Sequence, residues 1–360
     1  MPSRSTNQAF LGPLARLSRR LGTDIERTQG AGGNTSLKAE GILWVKASGT
    51  WLAEAESRAI FVPVRTDPLL AALRDGDERA EKATAFVVDE DNPGGLRPSI
   101  ETAVHAVMPQ GVVLHIHCVH TIAHAVRKDF ETRVRQRLRT AGLAERLGFV
   151  PYCRPGVPLA REMVRLVPDR PDVVVLGNHG LVVAGADVEE AAARLERVVA
   201  ALRLERRRPP AADLAALQRL AEGTVYRLPA DPESHDTALD ATALAAARAG
   251  PLYPDHVIFL GEAPGELREG ESLAAFVHRH EAKGRPLPRL VLVPGAGCLV
   301  HVSLTAGGEA LVRCLAEVTC RLDTEDGLRV LTPSECHALT NWEAEKYRQA
   351  LDRPAAGERP

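Results

Sequence analysis

The sequence feature that most constrains the fold is the pair Pro209-Pro210, which follows a long helical pattern. Proline has no backbone N–H and cannot continue a helix, so a helix that begins after Asp187 and runs to about Arg206 must end here. A chain of 360 residues is long enough for one large domain or two ordinary ones. We therefore predict three segments: a domain over 1–210, a small α/β extension over 211–345, and a tail over 346–360.

Short apolar segments alternate with helical patterns on the N-terminal side of the prolines. The predicted strands are 35–38, 42–47, 59–64, 111–117, 173–176 and 181–184. The predicted helices are 10–22, 98–108, 121–141 and 187–206. Between the last two strands, Gly177-Asn178-His179-Gly180 predicts a hairpin turn. This alternation is typical of the α/β class.

The C-terminal side has fewer and shorter segments. Helices are predicted over 211–222, 237–249 and 305–322, and strands over 256–260 and 289–293. The sequence Pro294-Gly295-Ala296-Gly297 follows a predicted strand, but it lacks the full glycine pattern and the downstream acid of a dinucleotide fingerprint. We therefore predict a second α/β layer without a dinucleotide site.

Composition excludes several classes of partner. The 45 basic and 47 acidic residues give a net charge of -2, which offers no electrostatic attraction for nucleic acid or an anionic membrane. No run of 18 or more apolar residues predicts a membrane span, and the N-terminus does not resemble a signal peptide. The six cysteines form no CxxC pair, so we expect reduced thiols, a cytoplasmic protein, and a small buried thiol at Cys118.

Three histidines predict a metal site. His115 and His117 are two positions apart on a predicted strand, so their side chains share one face and can reach one ion. His179 lies in the glycine-flanked turn, where the backbone can aim its side chain into a cleft. Three imidazoles leave a coordination position open, as catalytic zinc sites do. His120 and His124 are either helix-surface residues or supporting partners; we expect His124 on the surface and leave His120 open.

A carboxylate and small polar residues surround these histidines in the sequence. Glu101 precedes the histidine strand and is either a general base beside a bound cation or a first-turn residue that interacts with a helix dipole. The stretch Gly30–Ser36 is either an anion-binding turn with polar groups on Asn34 and Ser36 or an ordinary glycine turn. Further small polar groups lie near predicted element ends at Ser48, Gly49 and Ser99.

Taken together, these segments resemble the class II aldolase/adducin family over roughly residues 10–205. The matching sequences, in the family's order, are GGNTS (32–36), ILWVKASGTWL (42–52), PSIETAVH (98–105), HIHCVH (115–120) and LGNHGLVVAG (176–185). Within the family, the KASGTWL and PSIET segments are most similar to the aldolase portion of bifunctional rhamnulose-1-phosphate aldolase/alcohol dehydrogenase proteins.

The resemblance implies a three-layer α/β/α fold with a largely antiparallel central sheet. It also implies that His115, His117 and His179 hold Zn²⁺ or another divalent metal ion and that Glu101 is the catalytic acid/base. The residues implied to cradle a sugar phosphate are Asn34, Ser48, Gly49 and Ser99. A homo-oligomer, with a tetramer favoured, is the implied assembly.

The resemblance favours a metal-dependent aldolase that cleaves or forms a C–C bond in a ketose 1-phosphate, such as a deoxyketose phosphate, through a metal-stabilised enediolate. A sugar-phosphate 4-epimerase or dehydratase on the same site and a non-catalytic adducin-like binding module are the alternatives. Many phosphate-binding members carry a second hydroxyl before the glutamate, where this chain has Ile100. Tyr152 and Glu162 are candidates for the second acid, which would protonate the other fragment.

Overall fold

The computed structural model describes residues 4–324 and 326–352. The first of two compact units contains the described residues up to Thr121 together with Phe130–Arg203; the second contains Ile122–Asp129 and the described residues from Leu204 onward. The limits 1–210, 211–345 and 346–360 stay a prediction. A helix over Glu343–Leu351 occupies the first part of the expected tail, and residues 353–360 lie outside the described part.

Seven strands formed by the described residues make the central sheet of the first unit. They are β1 (Asn34–Ala39), β2 (Ile42–Lys46), β3 (Phe61–Arg65), β4 (Val112–Ile116), β5 (Leu147–Val150), β6 (Val173–Leu176) and β7 (Gly180–Gly185). Their order is β3-β2-β1-β4-β7-β6-β5. The pairing is antiparallel throughout except between β5 and β6. The expected largely antiparallel sheet is confirmed, and so is the hairpin between β6 and β7.

Helices cover both faces of this sheet. They are α1 (Arg4–Gly22), α2 (Thr66–Asp75), α3 (Thr102–Val107), α5 (Phe130–Thr140), α6 (Val157–Leu166) and α7 (Val188–Leu202). A further helix, α4 (Val119–Ala125), begins in the first unit and ends in the second. On one face, α1 and α7 contact the sheet and α5 packs on α7; on the other, α2, α3 and α6 pack together. Alternation along β1 shows the two faces directly, because Thr35 contacts Ser18 of α1 whereas Ser36 contacts His105 of α3. The expected three layers are confirmed.

Three predicted helices have different limits because tertiary contacts override the local pattern. The predicted helix 98–108 begins only at Thr102, since Pro98 forms a bridge with Ala47. The predicted helix 121–141 is divided into α4 and α5, and the intervening Arg127 forms a bridge with Leu328. The predicted helix 187–206 starts as expected, capped by Asp187, but ends at Leu202 before the prolines are reached.

The second unit contains a four-stranded sheet within the described residues, in the order β8-β11-β10-β9. Its strands are β8 (Tyr226–Arg227), β9 (Gly265–Glu266), β10 (Leu290–Val293) and β11 (Gly297–His301). Its helices are α8 (Leu214–Ala221), α9 (Asp236–Leu239), α10 (Ala241–Ala249), α11 (Leu273–Glu281), α12 (Ala306–Thr319), α13 (Pro333–Thr340) and α14 (Glu343–Leu351). The turn at Pro294-Gly295-Ala296 joins the antiparallel strands β10 and β11.

Two predictions for this unit were wrong. The expected strand 256–260 is a π-helix, His256–Leu260, whose five residues are all buried. A short buried apolar run does not distinguish a strand from a buried helical turn, and this explains the error. The expected helix 237–249 is broken at Asp240, whose side chain accepts the Ala243 N–H and caps α10. Among the described residues, no helix is long and apolar enough to cross a membrane.

Candidate metal centre

The end of β4 carries two of the three predicted histidine ligands. His115 is the last but one residue of β4, and His117 follows directly after the strand. Both side chains are buried, and their ring centroids lie 5.0 Å apart. His115 Nδ1 lies 3.2 Å from the backbone oxygen of Leu181, so this nitrogen donates and Nε2 faces the other histidine. A backbone acceptor behind a ligating imidazole is a common device for fixing its tautomer.

The hairpin between β6 and β7 brings the third histidine to the same place. Asn178 adopts a left-handed conformation, with φ of 53°, which turns the chain sharply before His179. Gly180 lets the hairpin approach β4 closely, since a Cβ at this position would lie 2.5 Å from the oxygen of Ile116. The His179 ring centroid lies 4.9 Å from that of His115 and 5.1 Å from that of His117.

Glu101 is part of the same cluster. It is the N-cap residue of α3, with Oε2 3.2 Å from His115 Nε2 and Oε1 3.5 Å from His179 Nε2. One ligand atom from each of the three histidines and from Glu101 lies within 4.8 Å of all the others. Three imidazole nitrogens and one carboxylate oxygen, all buried, are a donor set that suits a divalent transition metal ion.

The electrostatics of the cluster keep Glu101 ionised. Burial by itself would raise the pKa of this carboxyl, but the adjacent imidazoles of His115, His179 and His117 hold it well below its usual value. A buried carboxylate needs charge compensation and hydrogen bonds, and the cluster supplies both. Glu101 is therefore available in the form that accepts a proton.

A chain of hydrogen bonds connects Glu101 with side chains of β1 and α3. Asn34 Nδ2 donates to Glu101 Oε2 at 3.0 Å. The Oδ1 of Asn34 contacts His105 Nε2, and His105 Nδ1 lies 2.7 Å from Ser36 Oγ. Burial lowers the pKa of His105 to about 3, so this imidazole is neutral. The sequence analysis did not single out His105, although its position four residues after Glu101 is a helical spacing that could have drawn attention to it.

The residues expected to bind phosphate are divided between two places. Ser48 and Ser99 lie on either side of the bridge between Ala47 and Pro98. The Ser48 N–H donates to the backbone oxygen of Arg97, and the Ser99 N–H donates to that of Lys46. Gly49 follows Ser48 with a φ of 76°, a conformation that favours glycine. Asn34, in contrast, hydrogen-bonds to Glu101.

Two polar groups mark the region around Ser48. Its Oγ is buried and makes no hydrogen bond within the described part of the chain. Lys46 is buried as well, and its Nζ donates to the backbone oxygen of Ala31 in the glycine-rich stretch at 2.9 Å. The sequence analysis did not identify Lys46, since its burial depends on the sheet.

The remaining candidates lie elsewhere. His124 is buried, so its expected place on a helix surface was wrong; α4 packs into the structure instead of lying on it. His120 is also buried, with Nε2 3.5 Å from Glu26 Oε2. Cys118 is the expected buried thiol, and burial raises its pKa. Glu162 forms an ion pair with Arg165.

Comparisons with known proteins agree with this site. Residues 13–205 match the model of the Class II Aldolase and Adducin N-terminal domain. A Bacillus subtilis (strain 168) protein named uncharacterized oxidoreductase YuxG is 23% identical over 405 residues, covering 93% of this chain and 58% of that protein. The chain therefore spans less than two thirds of the length of this relative.

Solved structures with similar folds include an N-terminal class II aldolase domain from Thermoplasma acidophilum, with 27% identity and a TM-score of 0.45 over 53% of this chain and 90% of that one. Another is the L-fuculose-1-phosphate aldolase of Thermus thermophilus, with 14% identity and a TM-score of 0.36 over 53% of this chain and 91% of that one. The family match contains all four residues of the cluster and covers more than half of the chain. The chain belongs to the class II aldolase and adducin family.

Proposed function

We propose that this chain is a zinc-dependent class II aldolase that cleaves or forms a C–C bond in a ketose 1-phosphate. The observation that carries the proposal is the buried cluster of His115, His117, His179 and Glu101, whose ligand atoms lie within 4.8 Å of one another. An adducin-like module that only binds a partner has no need for such a donor set. The proposal covers this chain alone, since the chain spans 58% of its curated relative.

The three histidines would hold the ion, and Glu101 lies close enough to bind it or to act beside it. A bound divalent ion supplies Lewis-acid polarisation of a substrate carbonyl and stabilises the negative charge that develops when the C–C bond breaks. The backbone oxygen of Leu181 orients His115 for this task. Burial of all four side chains limits access of water to the reacting atoms.

Glu101 is the residue we assign to proton transfer. Its carboxyl is ionised, so in the direction of bond formation it can accept at Oε1 or Oε2 the proton from the carbon next to the ketone carbonyl. In the direction of cleavage, the protonated form of Glu101 would return a proton to the same carbon. Asn34 holds Oε2 at 3.0 Å and restricts the rotation of the carboxylate. Glu162, one of the two candidates to serve the aldehyde fragment, is paired with Arg165.

The substrate phosphate is assigned to the region of Ser48, Gly49 and Ser99. The buried Ser48 hydroxyl without a hydrogen-bond partner in the described chain, the left-handed turn at Gly49 and the buried ammonium group of Lys46 support this assignment. Asn34, which the family resemblance also places at the phosphate, is held by Glu101 and has at most one free amide hydrogen for it.

A panel of ketose 1-phosphates tests the proposal. Release of dihydroxyacetone phosphate would be followed with a coupled assay for the wild-type protein loaded with Zn²⁺ and for the His115→Ala variant. We expect cleavage of at least one deoxyketose 1-phosphate by the wild type and none by the variant. Inversion at C4 without net cleavage would indicate an epimerase on the same site, loss of water a dehydratase, and an inert metal-free protein an adducin-like module; each of these would overturn the aldolase assignment.

A further inference from the structure

We infer that Ser36 and His105 are positioning residues that orient Asn34 and, through it, the carboxylate of Glu101. Together, Ser36, His105 and Asn34 are called the positioning relay below. The inference rests on the proposed catalytic role of Glu101. None of the three residues of the relay needs to touch the substrate for it to act, because the connection runs through three consecutive hydrogen bonds.

The direction of each hydrogen bond in the relay follows from elementary chemistry. Glu101 is a carboxylate, which only accepts, so the Asn34 group that faces it must be the amide nitrogen. The other end of the Asn34 amide is then the oxygen, which also only accepts, so His105 must carry its proton on Nε2. A fully buried imidazole with no carboxylate in contact is neutral, and its Nδ1 therefore accepts from the Ser36 hydroxyl.

The opposite tautomer of His105 is unfavourable, because it would reverse the Asn34 amide. This preference is what allows the relay to orient Asn34. If His105 carried its proton on Nδ1, Nε2 would be an acceptor, and the Asn34 amide would turn its nitrogen toward it. The Asn34 oxygen would then face the Glu101 carboxylate, and two acceptors would meet in a buried site. The Glu101 carboxylate, which only accepts, therefore favours the His105 tautomer with its proton on Nε2. The Ser36 hydroxyl stabilises this tautomer by donating to Nδ1.

The relay lies on the rigid part of the first unit. Ser36 and Asn34 are two apart on β1, so they share the sheet face on which α3 lies, and His105 is in the middle of α3. Ser36 and His105 are fully buried and Asn34 is 4% exposed, so water does not compete for these bonds. Asn34 also pairs with His115 in the register of β1 and β4, which ties the relay to the metal cluster.

The contact of Glu101 with the Asn34 amide does not depend on whether a metal ion is bound, unlike its contacts with the histidines. The contacts from His115 and His179 use Nε2, the same nitrogen atoms that face the centre of the cluster. An imidazole nitrogen that binds an ion can no longer donate to a carboxylate. The Asn34 amide is the contact of Glu101 that persists in either state, and it is therefore the contact that fixes the carboxylate during the reaction.

The experiment compares His105→Phe with His105→Gln in the zinc-loaded full chain. Phenylalanine fills the space of the imidazole but removes both hydrogen bonds, whereas the glutamine amide can place an N–H near the position of Nε2. We expect His105→Phe to lower kcat by roughly 10- to 100-fold, the scale of a misplaced catalytic group, with KM and zinc content nearly unchanged. His105→Gln is expected to recover most of this loss.

Two further variants separate the relay from a general effect of a lost buried hydrogen bond. Ser36→Ala should lower kcat less than His105→Phe, because His105 can still donate from Nε2 in part of the molecules. Thr35→Val is the matched control: Thr35 lies next to Ser36 on β1 and hydrogen-bonds to Ser18 at 2.7 Å on the opposite sheet face. Thr35→Val should change stability without changing kcat. Equal loss of kcat in Thr35→Val and Ser36→Ala would overturn the inference.

A spectroscopic readout tests the relay without any activity. Long-range ¹H–¹⁵N correlation spectra of the histidine side chains, assigned with His105→Gln, report which nitrogen carries the proton. We expect a neutral His105 protonated at Nε2 in the wild type; protonation at Nδ1 would overturn the inference, as would normal kcat in His105→Phe. If the wild type lacks aldolase activity, the proposed function fails, while the tautomer still decides whether the relay exists.

Discussion

Glu101 and Glu317 are both buried, one in each unit, and their surroundings differ in kind. Glu101 of the first unit is 4% exposed and contacts imidazoles and the Asn34 amide. Glu317 of the second unit is 1% exposed and contacts three guanidinium groups, those of Arg206, Arg313 and Arg321. Burial alone would raise the pKa of both carboxyls, yet both pKa values are lowered by these neighbours.

The difference shows that burial of a carboxylate does not by itself mark a functional site. Arginine keeps its proton at any ordinary pH, so the charge of Glu317 is permanently neutralised and its site is complete. Imidazole exists in a neutral form with a free lone pair. The histidines next to Glu101 can therefore bind a cation, whereas the guanidinium groups next to Glu317 are cations themselves. The chemistry of the partners, rather than the burial, distinguishes a structural ion cluster from a candidate active site.

The largest expected effect is on catalysis at Glu101. In Glu101→Gln, the amide cannot accept a proton, so kcat should fall by about 10²- to 10⁴-fold. The three histidines remain, and the protein should still bind its ion and unfold cooperatively. Steady-state kinetics with metal analysis on the same sample checks this. A loss of only a few fold would show that Glu101 does not transfer the proton.

The matched substitution in the second unit should affect stability instead. Glu317→Gln removes the carboxylate that Arg206, Arg313 and the buried Arg321 share. Arg206 keeps Asp236 and Arg313 keeps Asp231, so the free energy of unfolding should fall by about 2 kcal/mol. Because Glu317 takes no part in the proposed reaction, kcat should be unchanged at a temperature where the variant is folded. Urea unfolding and kinetics together make the test. A variant as stable as the wild type would contradict the structural role of this cluster.

A substitution of Ile100, the residue before Glu101, tests the proposed phosphate site and has a smaller expected effect. The family resemblance implies a hydroxyl at this position in phosphate-binding members, so we expect Ile100→Ser to add one hydrogen bond to the proposed substrate phosphate. A hydrogen bond to a charged group is worth about 1.5 kcal/mol, so KM for a ketose 1-phosphate should fall by roughly tenfold. Comparison with an unphosphorylated ketose is the control. An equal change for both substrates would show that this position does not meet the phosphate.

The smallest effect is a dependence of stability on pH. The pKa of Glu317 in the fold lies below its ordinary value of 4.5, so the carboxylate stabilises the fold fully above about pH 4.5 and progressively less as pH falls below that value. The difference in unfolding free energy between the wild type and Glu317→Gln should therefore shrink on acidification. Urea titrations at pH 6 and at pH 4 or lower measure this, and a difference that grows toward acid would have the wrong sign.

The sequence predicted the metal cluster because its four members lie at informative local spacings. His115 and His117 share a strand face, His179 lies in a glycine turn, and Glu101 precedes the strand by one short helix. Each of these signals is local, and the resemblance to a family joined them into one site. The pairing of β6 with β7 was predictable for the same reason, since the turn that contains His179 determines the register of these two strands.

What the sequence did not reveal depends on contacts between distant segments. The helical spacing of His105 from Glu101 does not reveal its partners, and its proposed role depends on the pairing of Asn34 with His115, which brings β1 and β4 together. The burial of Lys46 and His124 likewise depends on neighbours far along the chain. The π-helix at His256–Leu260 shares its apolar pattern with a strand, so periodicity alone did not separate the two.

The measurement that tests the account most directly is the metal content of the protein purified without added metal. Mass spectrometric analysis should find about one divalent ion per chain, as expected for a single site with three imidazole ligands. The Glu317→Gln variant should hold the same amount, and His115→Ala should hold none. A folded wild-type chain without a stoichiometric divalent ion, or a His115→Ala variant that retains it, would contradict the account.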